Sequence, residues 1–98
     1  MEVRFEDKTL AEMDADHSFT GGHDQAIARG FRKLIRFIRA SRDERDFYAM
    51  KSLHYEKLTR ELTGRQSMRI NKQWRLILRI DKSDGGKLVV AVSIMDYH

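Results

Sequence analysis

A change of hydrophobic period near residue 50 limits what this chain can fold into more than any other feature. Before it, Ile27, Phe31, Leu34, Ile35 and Ile38 recur at spacings of four, three, one and three, which puts them on one stripe of an α-helix. After it, Trp74, Leu76, Leu78 and Ile80 alternate with Arg75, Ile77 and Arg79, the pattern of a strand with two distinct faces. The run Leu88 to Met95 is apolar throughout and reads as a buried strand. Helices first and strands second predict an α+β fold: an N-terminal strand and two to three helices packed on a C-terminal antiparallel β-meander. Ninety-eight residues make one domain, residues 1–98.

Local signals place the elements. Val3 and Phe5 alternate with charged residues, so residues 2–6 form a short edge strand. Asp7 caps a brief helix to about Ala15, with Leu10 and Met13 on its inner face. Asp24 caps the main helix, which carries Arg29, Arg32, Lys33 and Arg36 opposite the apolar stripe. Ser41 and Glu44 fit a capping box for a second helix from Arg42 to about Met50, with Phe47 and Met50 turned inward. Leu53, Tyr55 and Leu58 mark an extended piece, Ser67 to Asn71 a strand, and Asn71-Lys72-Gln73 a turn into Trp74 to Ile80. Asp84-Gly85-Gly86 closes the last hairpin, and the final strand runs from Lys87 to about Tyr97.

Charge is distributed unevenly. Residues 1–24 hold two basic and seven acidic side chains, whereas residues 25–79 hold fifteen basic and five acidic ones. A middle of that sign calls for a polyanionic partner. There are no cysteines, so disulfides and thiolate metal sites are excluded. No apolar stretch approaches the roughly 20 residues of a membrane span, and the N-terminus lacks the layout of a secretory signal. These features point to a cytoplasmic protein with no membrane partner.

The chemistry concentrates in the second half. Arg75 and Arg79 share a face of one strand, Arg69 lies on its hairpin neighbour, and Lys57 precedes them. A sheet face lined in this way binds phosphates through charge-assisted bonds. Beside it come His54 and the terminal Asp96-Tyr97-His98. RNA cleavage needs little more than these parts. A base takes the ribose 2′-hydroxyl proton, the oxygen attacks phosphorus, an acid protonates the departing 5′-oxygen, and cations hold the growing charge. Histidine suits both proton roles, and the scheme requires no metal or cofactor. Taken singly, these signals are weaker: an isolated histidine beside an apolar residue is more often structural, and Trp74 heads an apolar face and belongs to the core. His17 and His23 lie in a polar loop and are assigned no role.

Three stretches together resemble the HigB toxins of the RelE/ParE superfamily. They are Ser52-Leu53-His54-Tyr55-Glu56-Lys57-Leu58, Ser67-Met68-Arg69-Ile70-Asn71-Lys72-Gln73-Trp74-Arg75-Leu76-Ile77 and Asp96-Tyr97-His98. The resemblance implies a ribosome-dependent messenger RNA endonuclease, the toxin of a type II toxin–antitoxin pair. It implies His54, Asp96, Tyr97 and His98 as the acid–base group and Lys57 and Arg75 as phosphate stabilisers. Arg69 and Arg79 join the phosphate-binding set from their placement in the sheet. The implied partners are the ribosome with its messenger RNA and a HigA-like helix-turn-helix antitoxin, through which alone the pair would touch DNA. Two other classes compete: a ParE-like toxin of DNA gyrase that cuts nothing, and an inactive RNA-binding relic. Retention of His54 and His98 argues against the gyrase class, whose members lack the histidine set.

Overall fold

The computed structural model describes residues 1–96. Strands β1 (Glu2–Phe5), β2 (Glu56–Lys57), β3 (Gln66–Arg69), β4 (Trp74–Ser83) and β5 (Gly86–Asp96) form one sheet in the order β1-β5-β4-β3-β2. β1 runs parallel to β5 and every other pairing is antiparallel. Helices α1 (Lys8–Ala15), α2 (Gln25–Ala40) and α3 (Glu44–Ala49) lie between β1 and β2 in the chain. The predicted α+β architecture is the observed one, with β1 on the sheet edge.

The apolar stripe of α2 supplies the core. Phe31, Ile35 and Ile38 are fully buried with Met13 of α1, Phe47 of α3 and the sheet residues Met68, Leu76, Leu78 and Val89. Asp7 and Asp24 cap α1 and α2 by accepting from the amides of Thr9 and Ala26, as their positions in the sequence required. The cap of α3 differs from the expected one. Asp43 takes the position and accepts from the Arg45 amide, while the Ser41 hydroxyl donates to Phe37 O at the end of α2. The Arg45 side chain and amide hold the Asp43 carboxyl down to about 2. Met50 is exposed rather than inward-facing, because α3 ends at Ala49 and a 3-10 turn, Lys51–Leu53, redirects the chain.

Arg32 also departs from expectation. It lies off the apolar stripe yet is only 7% exposed, because the loop after α1 folds over it. Its guanidinium donates to the carbonyls of Met13 (2.7 Å), Asp16 (3.2 Å) and Phe19 (2.7 Å).

Gly30 lets α2 approach the turn after β3. A Cβ there would lie 2.7 Å from the Ile70 Cγ2 methyl. Alanine gains roughly 1 kcal/mol of helix propensity, but overpacking against a branched side chain costs about 1–3 kcal/mol. Gly30→Ala is expected to lower the urea midpoint, and an unchanged or raised midpoint would show that Ile70 moves freely.

A β-bulge sets which residues of β5 face which way. Ile77 pairs with Ser93 but Leu78 pairs with Ala91, so Val92 is the extra residue. The parity of β5 reverses there. Ala91 and Ile94 both reach the helix-covered face, opposite Leu78 and Leu76, while Ser93 and Met95 join Ile77 and Arg75 on the other. That other face is less wet than its charged side chains suggested. Ile77, Leu88 and Val90 are buried on it, flanked by Arg4, Glu6, Arg79 and Asp81.

Candidate active site at the end of the sheet

His54 closes the 3-10 turn with φ 47° and ψ 47°, the left-handed region that a side chain makes costly. Leu53 and Tyr55, buried on either side, fix the turn from within. Two arginines hold it from the sheet. Arg75 Nη2 donates to the His54 carbonyl at 2.5 Å, and Arg69 Nη1 lies 3.0 Å from His54 Nε2. A guanidinium can only donate. Nε2 is therefore the acceptor, and a neutral ring carries its proton on Nδ1.

The hairpin register explains why these side chains meet. Arg69 pairs with Arg75, and Arg75 with Met95, so the three stand in a row across the sheet on the face away from the helices. Glu56 reaches the same face and comes within 3.9 Å of Arg75. Arg75 is 7% exposed and its guanidinium bonds the turn above it, whereas Arg69 is the more accessible of the two. Asp96 ends β5 opposite Trp74, one residue beyond the row and on the opposite face by register. Its carboxylate accepts from Gln73 Nε2 at 3.1 Å. The indole of Trp74 meets the His23 ring edge-on at 5.6 Å.

Two expected members stand apart. Arg79 is four residues along β4 from Arg75, about 13 Å at the usual strand rise, and is paired with Glu6 and Asp81. Lys57 pairs with Gln66, which pairs with Leu78, so register puts it on the helix-covered face, exposed at the sheet edge. Tyr97 and His98 lie outside the described residues. Tyr55, beside His54, offers no proton: burial, then the Glu44 carboxylate that its hydroxyl bonds at 3.0 Å, push its pKa well above the ordinary phenol value. Sequence reasoning missed Glu56 as the Arg75 partner and the left-handed turn at His54. No composition signal marks that turn, which would more usually carry glycine.

Among the described residues, no group of three histidines or carboxylates could hold a metal ion. No helix there is long and apolar enough to cross a membrane.

A strand, three helices and an antiparallel meander, ending in a cationic row around a histidine, define a toxin of the RelE-like class. The chain belongs to the HigB-like toxins, described as RelE-like toxins of the type II toxin–antitoxin system HigB, whose family model matches residues 3–98. Its fold is similar to the YoeB/ParE toxin from Agrobacterium tumefaciens, with TM-score 0.62, 16% identity and both chains covered in full. It is also similar to the toxin fold in the YoeB–YefM complex from Staphylococcus aureus, with TM-score 0.60, 20% identity and 100% and 97% of the two chains covered. The RelBE2 toxin–antitoxin complex from Mycobacterium tuberculosis gives TM-score 0.51 at 21% identity, over 98% and 96% of the chains. At such identities these likenesses concern the fold alone. No curated protein matches the chain in sequence.

Proposed function

We propose that this toxin is an endoribonuclease that cuts messenger RNA on the ribosome through attack of a ribose 2′-hydroxyl on the adjacent phosphorus. The observation that carries this reading is the His54 imidazole, exposed on a strained turn and bonded at Nε2 by Arg69. An arginine against an imidazole is a site awaiting an anion. When a phosphate arrives, Arg69 transfers its N–H bonds to the phosphoryl oxygens, and Nε2 is released to handle a proton. Arg75 keeps the turn in place from beneath. The new P–O2′ bond forms as the P–O5′ bond breaks, leaving a 2′,3′-cyclic phosphate and a 5′-hydroxyl. One proton leaves the 2′-oxygen and one reaches the 5′-oxygen.

The resemblance to HigB toxins supplies the second imidazole, His98, with Tyr97 and Asp96 to position it or the substrate. Lys57, on the sheet edge, contributes to phosphate binding from its long side chain. The partner that restrains the activity is an antitoxin, as in the YoeB–YefM and RelBE2 assemblies, here of the HigA-like helix-turn-helix kind.

Ribosomes programmed with a defined messenger test the proposal. The purified chain is expected to produce A-site cuts ending in a 2′,3′-cyclic phosphate, and His98→Ala to abolish them without altering the circular dichroism spectrum. Intact transcripts accompanied by DNA breaks would instead place the chain with the gyrase poisons. Full toxicity of His98→Ala would remove that residue from the site.

A further inference from the structure

Glu56 is an acid inside the cationic row, and a carboxylate there works against binding a polyanion. Its place follows from the turn. Glu56 stands two residues after His54, and β2 fixes it by pairing it with Ser67. One terminal nitrogen from β4 then touches both residues of the turn. Arg75 Nη2 donates to the His54 carbonyl at 2.5 Å and lies 3.9 Å from Glu56 Oε1. The arginine side chain is 8% exposed and the glutamate 45%, so the pair has one dry end and one wet end.

Were that carboxylate neutral, an arriving phosphate would compete for Arg75 on better terms. A guanidinium fork fits two phosphoryl oxygens, and a charged acceptor holds it more strongly than the neutral carbonyl of His54 does. Arg75 would then leave the turn as the substrate arrives, and the left-handed backbone at His54, φ 47°, would lose this hold from the sheet. We infer that Glu56 is a positioning residue: it keeps Arg75 on the His54 turn and off the substrate, and leaves Arg69 to meet the phosphate. The inference rests on the ribonuclease reading given above. Exposure supports the same division of labour, since Arg69 is the more accessible arginine. Glu56 thereby acquires a two-sided signature: the charge that weakens binding of the messenger speeds its cleavage.

Single-turnover cleavage on programmed ribosomes, measured over a range of ribosome concentrations, separates the two effects. Glu56→Gln is nearly isosteric and lies at an exposed position, so the melting temperature should not change. The variant is expected to lower the saturating rate about tenfold, as a loss of alignment does. It should tighten ribosome engagement roughly threefold at low salt and less at high salt, where added ions screen the missing charge. Arg75→Lys tests the route, because an ammonium cannot reproduce the planar fork. That variant is expected to be slow by itself, and adding Glu56→Gln to it should change the saturating rate by no more than about twofold. Glu56→Gln cleaving at the full rate would overturn the inference. So would a loss of about tenfold that persists in the Arg75→Lys background, which would make Glu56 a proton acceptor in its own right. An unsubstituted chain that cuts nothing is a distinct result: it removes the ribonuclease reading, and this role of Glu56 with it.

Discussion

His54→Ala is expected to slow transcript cleavage on programmed ribosomes by at least a hundredfold, with little change in ribosome binding. Positioned proton transfer contributes roughly 10²–10⁴-fold, and His54 is the titratable ring that the arginine row holds in place. The fold should tolerate the change. The ring is exposed, and alanine meets nearly the same backbone cost at φ 47°. His54→Gln separates the two meanings of the residue. Its amide oxygen can accept from Arg69 as Nε2 does, but it cannot take up and return a proton. A purely positioning role would leave the glutamine variant active; proton transfer predicts that it is as slow as alanine. Single-turnover rates under saturating ribosomes decide between them, because they report the chemical step apart from binding.

Arg75 is expected to behave differently from a surface phosphate contact. Its bond to the His54 carbonyl and its approach to Glu56 tie it to the turn. The sequence had suggested four equivalent cations, and the structure separates them for reasons no local pattern contains. Arg79 has the same strand parity as Arg75, so alternation correctly gave its face. What alternation could not supply was Glu6, brought alongside by a parallel pairing between β1 and β5 from the far end of the chain. The side taken by Lys57 depends on the register of a two-residue strand, and one step of register reverses every face. The bulge at Val92 acts similarly on β5: an uninterrupted period of two would have put Met95 on the wrong side of the sheet.

The helical half was legible where the signal was local. Capping aspartates and a five-residue stripe need only neighbours to act, and Asp7, Asp24 and the α2 core residues stand where the spacing put them. Where two caps competed, Asp43 prevailed over Ser41, which was engaged by the preceding helix. The site itself was legible as residue types in order. Its closeness was not, since the Arg69–His54 contact depends on a hairpin register and on a left-handed turn.

Arg32→Leu is expected to cost about 3 kcal/mol of folding stability, the largest loss from any single exposed-looking position on α2. Hydrogen bonds to a charged donor are worth roughly 1.5–3 kcal/mol each. Arg32 makes three of them to backbone carbonyls, two at 2.7 Å and one at 3.2 Å, from a site that water barely reaches. Leucine restores some apolar burial, which keeps the net loss below the sum of the bonds. For a domain of this size, about 3 kcal/mol lowers the melting temperature by roughly 12–24 °C. Arg39→Leu provides the contrast. Arg39 also links α2 to the α1 region, through Asp14 at 2.8 and 3.0 Å, but its own side chain is nearly half exposed, so solvent screens the pair. Exposed pairs are worth at most about 1 kcal/mol, so this variant should melt close to the parent. Equal losses from the two substitutions would mean that the carbonyls of Met13, Asp16 and Phe19 find other donors once Arg32 is gone. The expected asymmetry has a local signature too: amides of residues 16–23 should lose exchange protection first in Arg32→Leu. That loop carries His23 to the indole of Trp74, beside Asp96, so loosening it should slow cleavage even at temperatures where the chain remains folded.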